Sequence, residues 1–313
     1  MEILVLWFTL LLLSMTANIF MIISIYKSEK LCKNGCTKLI MSFLSSSAFA
    51  CLCGSVSTTA MLVENSRDEH SKYPDEVWIV LFALNRGAVA AHLSTSSTMA
   101  LIRMISVVWP VNYRSLNCSS AIYCFIVAPW VYSTVMFVLP LFQVIGVPDP
   151  STYRYKIAEG ETNLQKSWRI TYILAYILIP FTLIYASYMI VFCKVHGLKR
   201  GNGSDGSQDH GLNNRPPISQ WQEVVARAAL ANIIVQTVTY FPMIIGSTLS
   251  LGTLFSRICR TIFILQYIFN PVSFVMFSED YRCACKKVLK CFFPQDSAQS
   301  DLLTEMQKMP TKV

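Results

Sequence analysis

The stretch IRMISVVWPVNYRSL, residues 102–116, closes a long run of apolar and small residues with one arginine, with a proline seven residues later and more basic character beyond. In water this would be the frayed end of a buried helix. Beside the other hydrophobic segments of the chain it reads as a helix leaving a bilayer. There the stem of Arg103 can lie among apolar neighbours while its charge reaches the interface.

Composition agrees with lipid as the solvent. The 313 residues are 53% hydrophobic and 14% charged, where a soluble domain carries roughly 25% charged residues. Windows of about 20 residues, the length that crosses a hydrocarbon core, predict seven helical spans near 3–26, 36–63, 77–107, 119–144, 168–195, 222–249 and 256–277. No short alternating segments suggest a membrane barrel. The first segment, MEILVLWFTLLLLSMTANIF, has Glu2 as its only early charge and stays apolar as far as Lys27. It reads as a retained span; the alternative is a cleaved signal, which would leave six spans.

Loop charge predicts orientation. The first connection carries Lys27, Lys30, Lys33 and Lys38 against Glu29, whereas the second carries Glu64, Asp68, Glu69, Asp75 and Glu76 against Arg67 and Lys72. Arg114, Lys194, Lys199, Arg200, Arg282, Lys286, Lys287 and Lys290 fall on the side of the first connection. The positive-inside rule then places the N-terminus outside and the C-terminus in the cytoplasm. The net charge of +8 suits loops beside an anionic leaflet and requires no nucleic-acid partner.

Residues 197–220 are rich in Gly, Asn, Ser and Pro and predict a flexible cytoplasmic loop; residues 294–313 predict a disordered tail after a membrane domain spanning 1–293. The eleven cysteines show no paired spacing for zinc, so neither a metal nor another cofactor is expected. Cys283, Cys285 and Cys291 near a predicted cytoplasmic end suit reversible palmitoylation or are ordinary reduced thiols.

With the spans in place, LSTSSTMALIRMISVVWPVNYRSL (93–116) resembles the third helix and second cytoplasmic loop of rhodopsin-like G-protein-coupled receptors, through Arg103, Pro110 and Tyr113. Asn18, Trp130, Pro180 with Tyr188, the Tyr240-Phe241-Pro242 run, and Asn270-Pro271 with Phe274, Tyr281, Arg282 and Cys291 match further positions in order. The resemblance implies a seven-helix bundle with an amphipathic eighth helix. It also implies a heterotrimeric G protein as partner and a switch built from Arg103, Tyr188, Tyr240, Pro242, Asn270, Pro271 and Phe274. Prolines 180, 242 and 271 each remove a helix hydrogen bond and can serve as pivots.

Departures from the pattern carry expectations of their own. Ile102 stands where the family has an acid, which removes the usual ionic restraint on the arginine and implies either raised basal signalling or weakened coupling. Cys51 stands at the aspartate position and His92 at the serine position, so the sodium pocket of the family lacks its anionic oxygen. His92 is then a hydrogen-bonded core residue or a proton-sensitive switch. Together with Asn18 these two residues form an inner polar core. Trp78 replaces the cysteine that would anchor the outer loop, implying a less restrained loop there.

For a ligand, Asn85 occupies the amine counter-ion position, and Arg86 and Arg260 imply a polar or anionic small molecule, with Tyr172, Met243, Ile244 and Ser247 lining the remainder. The competing readings are a non-signalling receptor-like membrane protein and a secondary transporter. Intramembrane carboxylates and internal repeats, which transporters use, are not evident. Enzyme chemistry is not expected either, since His92 is the only deeply placed histidine and no acid lies deep in a predicted span to complete a site.

Overall fold

Inside a bilayer every backbone N–H and C=O must find a partner within its own segment or bundle, which favours long helices. The structure, a computed structural model, describes residues 1–32, 35–66, 73–116, 119–142, 147–149, 154–156, 163–203, 231, 234–242 and 253–292. Its helices are α1 (Glu2–Tyr26), α2 (Glu29–Cys32), α3 (Gly35–Asn65), α4 (Asp75–Val108), α5 (Pro110–Leu116), α6 (Ser119–Leu141), α7 (Asn163–Ile173), α8 (Ile179–Gly203), α10 (Thr253–Phe277) and α11 (Glu279–Phe292). A π-helical turn, Leu174–Leu178, joins α7 to α8, and 234–242 forms a further helix, α9.

Among the described residues six helical stretches are long and apolar enough to cross a membrane: Glu2–Tyr26, Thr37–Asn65, Asp75–Val108, Ser120–Leu141, Ile170–Val195 and Leu254–Phe277. The chain is a helical, multi-pass membrane protein. Of the span expected at 222–249, only 231 and 234–242 are described, and both are helical. The expected tail at 294–313 lies outside the described residues.

Side-chain distribution follows the solvent. In α1, Trp7, Leu11, Ser14, Asn18, Met21 and Ile25 recur at helical spacing on the buried face, while Val5, Leu6, Leu13 and Ile19 are exposed. Burying the hydroxyl and amide while leaving aliphatics outside reverses the pattern of a soluble helix. The 34-residue α4 is about 51 Å long at 1.5 Å per residue, more than a hydrocarbon core of about 30 Å accommodates without tilt or overhang. It packs against α3, α6 and α8.

Gly87 sets the approach of α4 to α6. A Cβ built there would lie 2.8 Å from the Phe137 Cβ, and Ser133 of α6 donates to the Gly87 carbonyl at 2.7 Å. The clashing atom adjoins the backbone and cannot swing aside. Gly87→Ala is therefore expected to destabilise the folded protein by about 1–2 kcal/mol, overpacking outweighing the helix preference of alanine. A lowered thermal melting point in detergent checks this; an unchanged or raised value contradicts the close approach.

Three features differ from the sequence expectations. The fifth span is not one regular helix, because Pro180 has no N–H to offer its own helix and a π-turn precedes it. Neighbouring helices bond to the backbone here: Tyr132 of α6 donates to the Ala175 carbonyl in the π-turn, and Ser97 of α4 donates to the Pro180 carbonyl at 3.1 Å. Helix α8 then runs to Gly203, into the stretch expected to be a flexible loop from 197. A nucleated helix extends at the cost of one residue per added hydrogen bond, so weak formers can be carried along. Residues 204–220 lie outside the described residues.

The loop expected to be weakly restrained carries an antiparallel pair, β1 (Val147–Asp149) on β2 (Arg154–Lys156), in the register Val147↔Lys156, Pro148↔Tyr155, Asp149↔Arg154. Pro150 and Ser151 between the strands are turn formers. A backbone ladder thus supplies some of the restraint that a disulfide would have supplied.

Helix α11 buries Tyr281, Ala284, Cys285 and Val288 and exposes Lys286, Lys287 and Lys290, an amphipathic pattern. This corrects one modification candidate. Cys285 is buried, with its thiol donating to the Met21 Sδ at 3.6 Å, whereas Cys283 and Cys291 are exposed. The spacing from Tyr281 to Cys285 brings both to the inner face of the helix. A thiol reagent should label Cys283 and Cys291 in the folded protein and reach Cys285 only after unfolding; equal labelling of all three contradicts this packing.

Lys30 joins Asp280 of α11 at 2.8 Å with both side chains largely exposed. The hydrogen bond and charge of Asp280 raise the Lys30 pKa. Any stability from this pair is present in full below the ordinary lysine pKa and fades as pH rises through the raised one. Exposure keeps it small.

Candidate functional site

The residues singled out from the sequence gather in three tiers along α4. At one end, α4 stops because Trp109 precedes a proline and takes an extended conformation, φ −130° and ψ 71°. Pro110 begins α5, where its missing N–H is no loss. Pro110 is exposed, and Tyr113 is half-buried against a cluster that includes Met21, Leu39 and Ile102.

Arg103, just inside this end, donates from Nη1 to the Tyr188 hydroxyl of α8 at 3.1 Å. Its guanidinium lies 5.7 Å from the centroid of the Phe274 ring of α10, within cation–π range. One cation thus ties three helices together. Among the described residues no carboxylate pairs with it; their only salt bridge is Lys30–Asp280. Ile102 is buried beside it. Phe274 has no hydroxyl, and what it offers Arg103 is a ring face.

The middle tier centres on His92, which is fully buried. Its Nε2 lies 3.4 Å from Asn270 Nδ2 and its Nδ1 lies 2.9 Å from the Ser47 hydroxyl, which in turn donates to the Phe43 carbonyl at 3.0 Å. With Asn270 donating to Nε2, the proton sits on Nδ1 and is donated to Ser47. The rings of Phe43 and Tyr267 close around it at 4.9 and 5.0 Å.

Asn18 completes this tier. Pro271 has no N–H for the Tyr267 carbonyl one turn earlier, and the Asn18 amide of α1 donates to that carbonyl at 2.9 Å and to the Ser14 carbonyl at 2.8 Å. The gap that Pro271 leaves in the hydrogen-bond ladder is therefore bridged from a different helix. Ser273 donates to the Asn270 carbonyl at 2.8 Å. Cys51 is buried in the same cluster as Tyr267. Among the described residues no cluster of His, Cys, Asp or Glu could hold a metal ion.

The third tier joins Tyr240 and Pro242, which the sequence singled out, to residues it did not. Gln266 of α10 bridges two consecutive residues of α9: its Oε1 accepts from the Thr239 hydroxyl at 2.8 Å, and its Nε2 donates to the Tyr240 hydroxyl at 2.8 Å. Gln236 of α9 donates from Nε2 to the Ser96 hydroxyl of α4 at 2.6 Å. Tyr185 of α8 is hydrogen-bonded to Thr237. The Tyr240 ring packs edge-on against Phe181 and Phe263, and Pro242 is half-buried one turn from the Thr239 end of this network. Two glutamines inside otherwise apolar spans were the available signal, because an amide in lipid needs a partner.

The ligand residues are brought together only in part. Arg86 lies 5.6 Å from the Tyr176 ring centroid, and Tyr172 stacks on Tyr176 at 5.3 Å. Asn85 is half-buried. Arg260 lies 4.6 Å from the Trp7 ring of α1, whose indole donates to Thr261 at 2.8 Å. The two guanidiniums thus rest on different rings from different helices, not on one common aromatic floor. Met243, Ile244 and Ser247 lie outside the described residues. A separate groove of about 450 Å³ between α3, α4 and α6, lined by Phe49, Gly87, Trp130 and Phe137 among others, contains none of the predicted ligand residues.

No family model matches the chain, and no curated protein matches it. The functional reading rests on the arrangement of these tiers.

Proposed function

We propose that this chain is a divergent rhodopsin-like G-protein-coupled receptor in the cell membrane, with seven spans, an eighth amphipathic helix, an extracellular N-terminus and a cytoplasmic C-terminus. The stretch around α9 is the sixth span, α10 is the seventh, and α11 is the eighth helix. The observation that carries the reading is the junction of Arg103, Tyr188 and Phe274. A guanidinium at the end of α4 has no acidic partner among the described residues and is held by a phenol of α8 and a ring of α10. A cation held by neutral groups on separate helices can be re-partnered when those helices move, without first breaking an ion pair.

The ligand in this reading is small and polar or anionic and enters near Arg86, Tyr172 and Tyr176. The partner on the Arg103 side is a heterotrimeric G protein. Agonist-independent recruitment across several G proteins, measured on the full chain in cell membranes, tests this. Recruitment above a vector control that is lost in Arg103→Ala supports the receptor reading. No recruitment by any G protein, with the chain at the cell surface, favours the non-signalling receptor-like alternative. The lack of an acid beside Arg103 and the ring at position 274 are the features on that side.

A further inference from the structure

We propose that a neutral hydrogen-bond latch, Gln236 of α9 on Ser96 of α4, holds α9 against the bundle, where the described residues supply no charged lock. The inference deepens the receptor reading above and rests on it for its signalling consequence, though not for its geometry.

The positions of the donors argue for a latch. Ser96 and Arg103 lie seven residues apart on α4, two turns along the same face. Arg103 is engaged by α8 and α10, so it does not restrain α9. The Ser96 hydroxyl of α4 meets α9 at 2.6 Å from the Gln236 amide. Both side chains are buried, and Gln236 Oε1 has no hydrogen-bond partner among the described residues. The amide is therefore held by one bond alone.

The other grips on α9 are Tyr185 of α8 on Thr237, beside Gln236, and Gln266 of α10 on Thr239 and Tyr240, the latter within a turn of Pro242, where α9 can bend. A swing of α9 about Pro242 would displace Gln236 more than Thr239 or Tyr240, so the Gln236–Ser96 bond, which ties α9 to α4, breaks before the Gln266 bonds. Breaking it leaves both ends of the amide without partners in an apolar interior, which resists opening until water or a partner enters.

The test uses the full chain in lipid nanodiscs with Cys32, Cys36, Cys118, Cys124, Cys193, Cys283 and Cys291 replaced by serine and spin labels placed at Val111 and at Ile234 of α9, both exposed. Distances between the labels report the closed and open positions of α9. Gln236→Met keeps the side-chain length and removes the amide; Ser96→Ala removes the acceptor. Each is expected to raise the open fraction about 3- to 15-fold, the range spanned by measured side-chain hydrogen bonds between membrane helices. The double variant should open no further than the larger single effect, since both remove one bond.

Unchanged distances in both single variants, or a double variant whose effect is the product of the two, overturn the latch. Basal G-protein recruitment is read in parallel. Wider distances with recruitment absent throughout uphold the latch and overturn the receptor reading; wider distances with raised recruitment support both. Should Gln236→Met fail to reach the membrane, Ser96→Ala against Ser96→Thr, which keeps the hydroxyl, decides the same question.

Discussion

Replacing His92 with alanine is expected to cost about 3 kcal/mol of folding stability. The imidazole fills space between the Phe43 and Tyr267 rings and links Asn270 to Ser47. Alanine leaves a cavity there, and large-to-small core substitutions cost about 2–5 kcal/mol. It also removes the acceptor facing Asn270, and a buried polar group left unsatisfied costs about 1–3 kcal/mol. Ser47 loses less, because its hydroxyl still donates to the Phe43 carbonyl. His92→Asn should recover part of the loss, since its amide nitrogen falls near the place of Nδ1. Equilibrium unfolding in mixed micelles checks the order wild type, then Asn, then Ala. An alanine variant within about 0.5 kcal/mol of wild type would show that His92 neither fills nor links this core.

Tyr188→Phe should lower basal and stimulated G-protein recruitment by on the order of ten- to a hundredfold under the receptor reading. The phenol is the hydrogen-bond acceptor for the Arg103 guanidinium, and bonds to charged groups contribute about 1.5–3 kcal/mol. No neighbouring carboxylate takes its place among the described residues. The Phe274 ring would remain as the partner of Arg103, and exposed cation–π contacts are weaker, at about 0.5–1 kcal/mol. Arg103→Lys should fall at least as far, because a compact ammonium cannot reach a phenol and a ring face with the same planar group. Recruitment at matched surface expression reads both variants. A Tyr188→Phe protein that recruits like wild type would remove this bond from the coupling step.

The two substitutions probe different links of one column. His92 couples to Asn270 beside Pro271, while Phe274 sits one turn beyond that proline under Arg103. A change in the bend at Pro271 therefore moves the ring on which the guanidinium rests. The Asn18 amide, which supplies the hydrogen bond that Pro271 withholds, fixes the bend from α1. Substituting that asparagine would leave the Tyr267 carbonyl exposed to lipid or to water, either of which loosens the column.

Spans were legible in the sequence because lipid imposes a one-dimensional rule: a stretch of about 20 apolar residues must close its own backbone bonds. The ends of α1, α3, α4 and α10 fall within a few residues of the predicted spans for that reason. Arg103, Tyr188, His92 and Asn270 were also legible as candidates, being polar groups or proline neighbours where apolar residues are the default. Their partners were not. Whether Arg103 meets Tyr188 or an acid, and whether Cys285 faces lipid or Met21, depends on helix rotation and crossing, which apolar spacing leaves open when every face is hydrophobic.

By itself, then, the sequence determined the solvent of this protein, the approximate ends of α1, α3, α4 and α10, and where prolines interrupt the helix ladder. Tertiary structure alone decided how those interruptions are repaired and what restrains α9. A hydrogen bond between Gln236 and Ser96, or between Gln266 and two residues of α9, joins positions far apart in the chain through a few ångströms of space. Such a bond is specified by the packing of whole helices and not by any local run of residues.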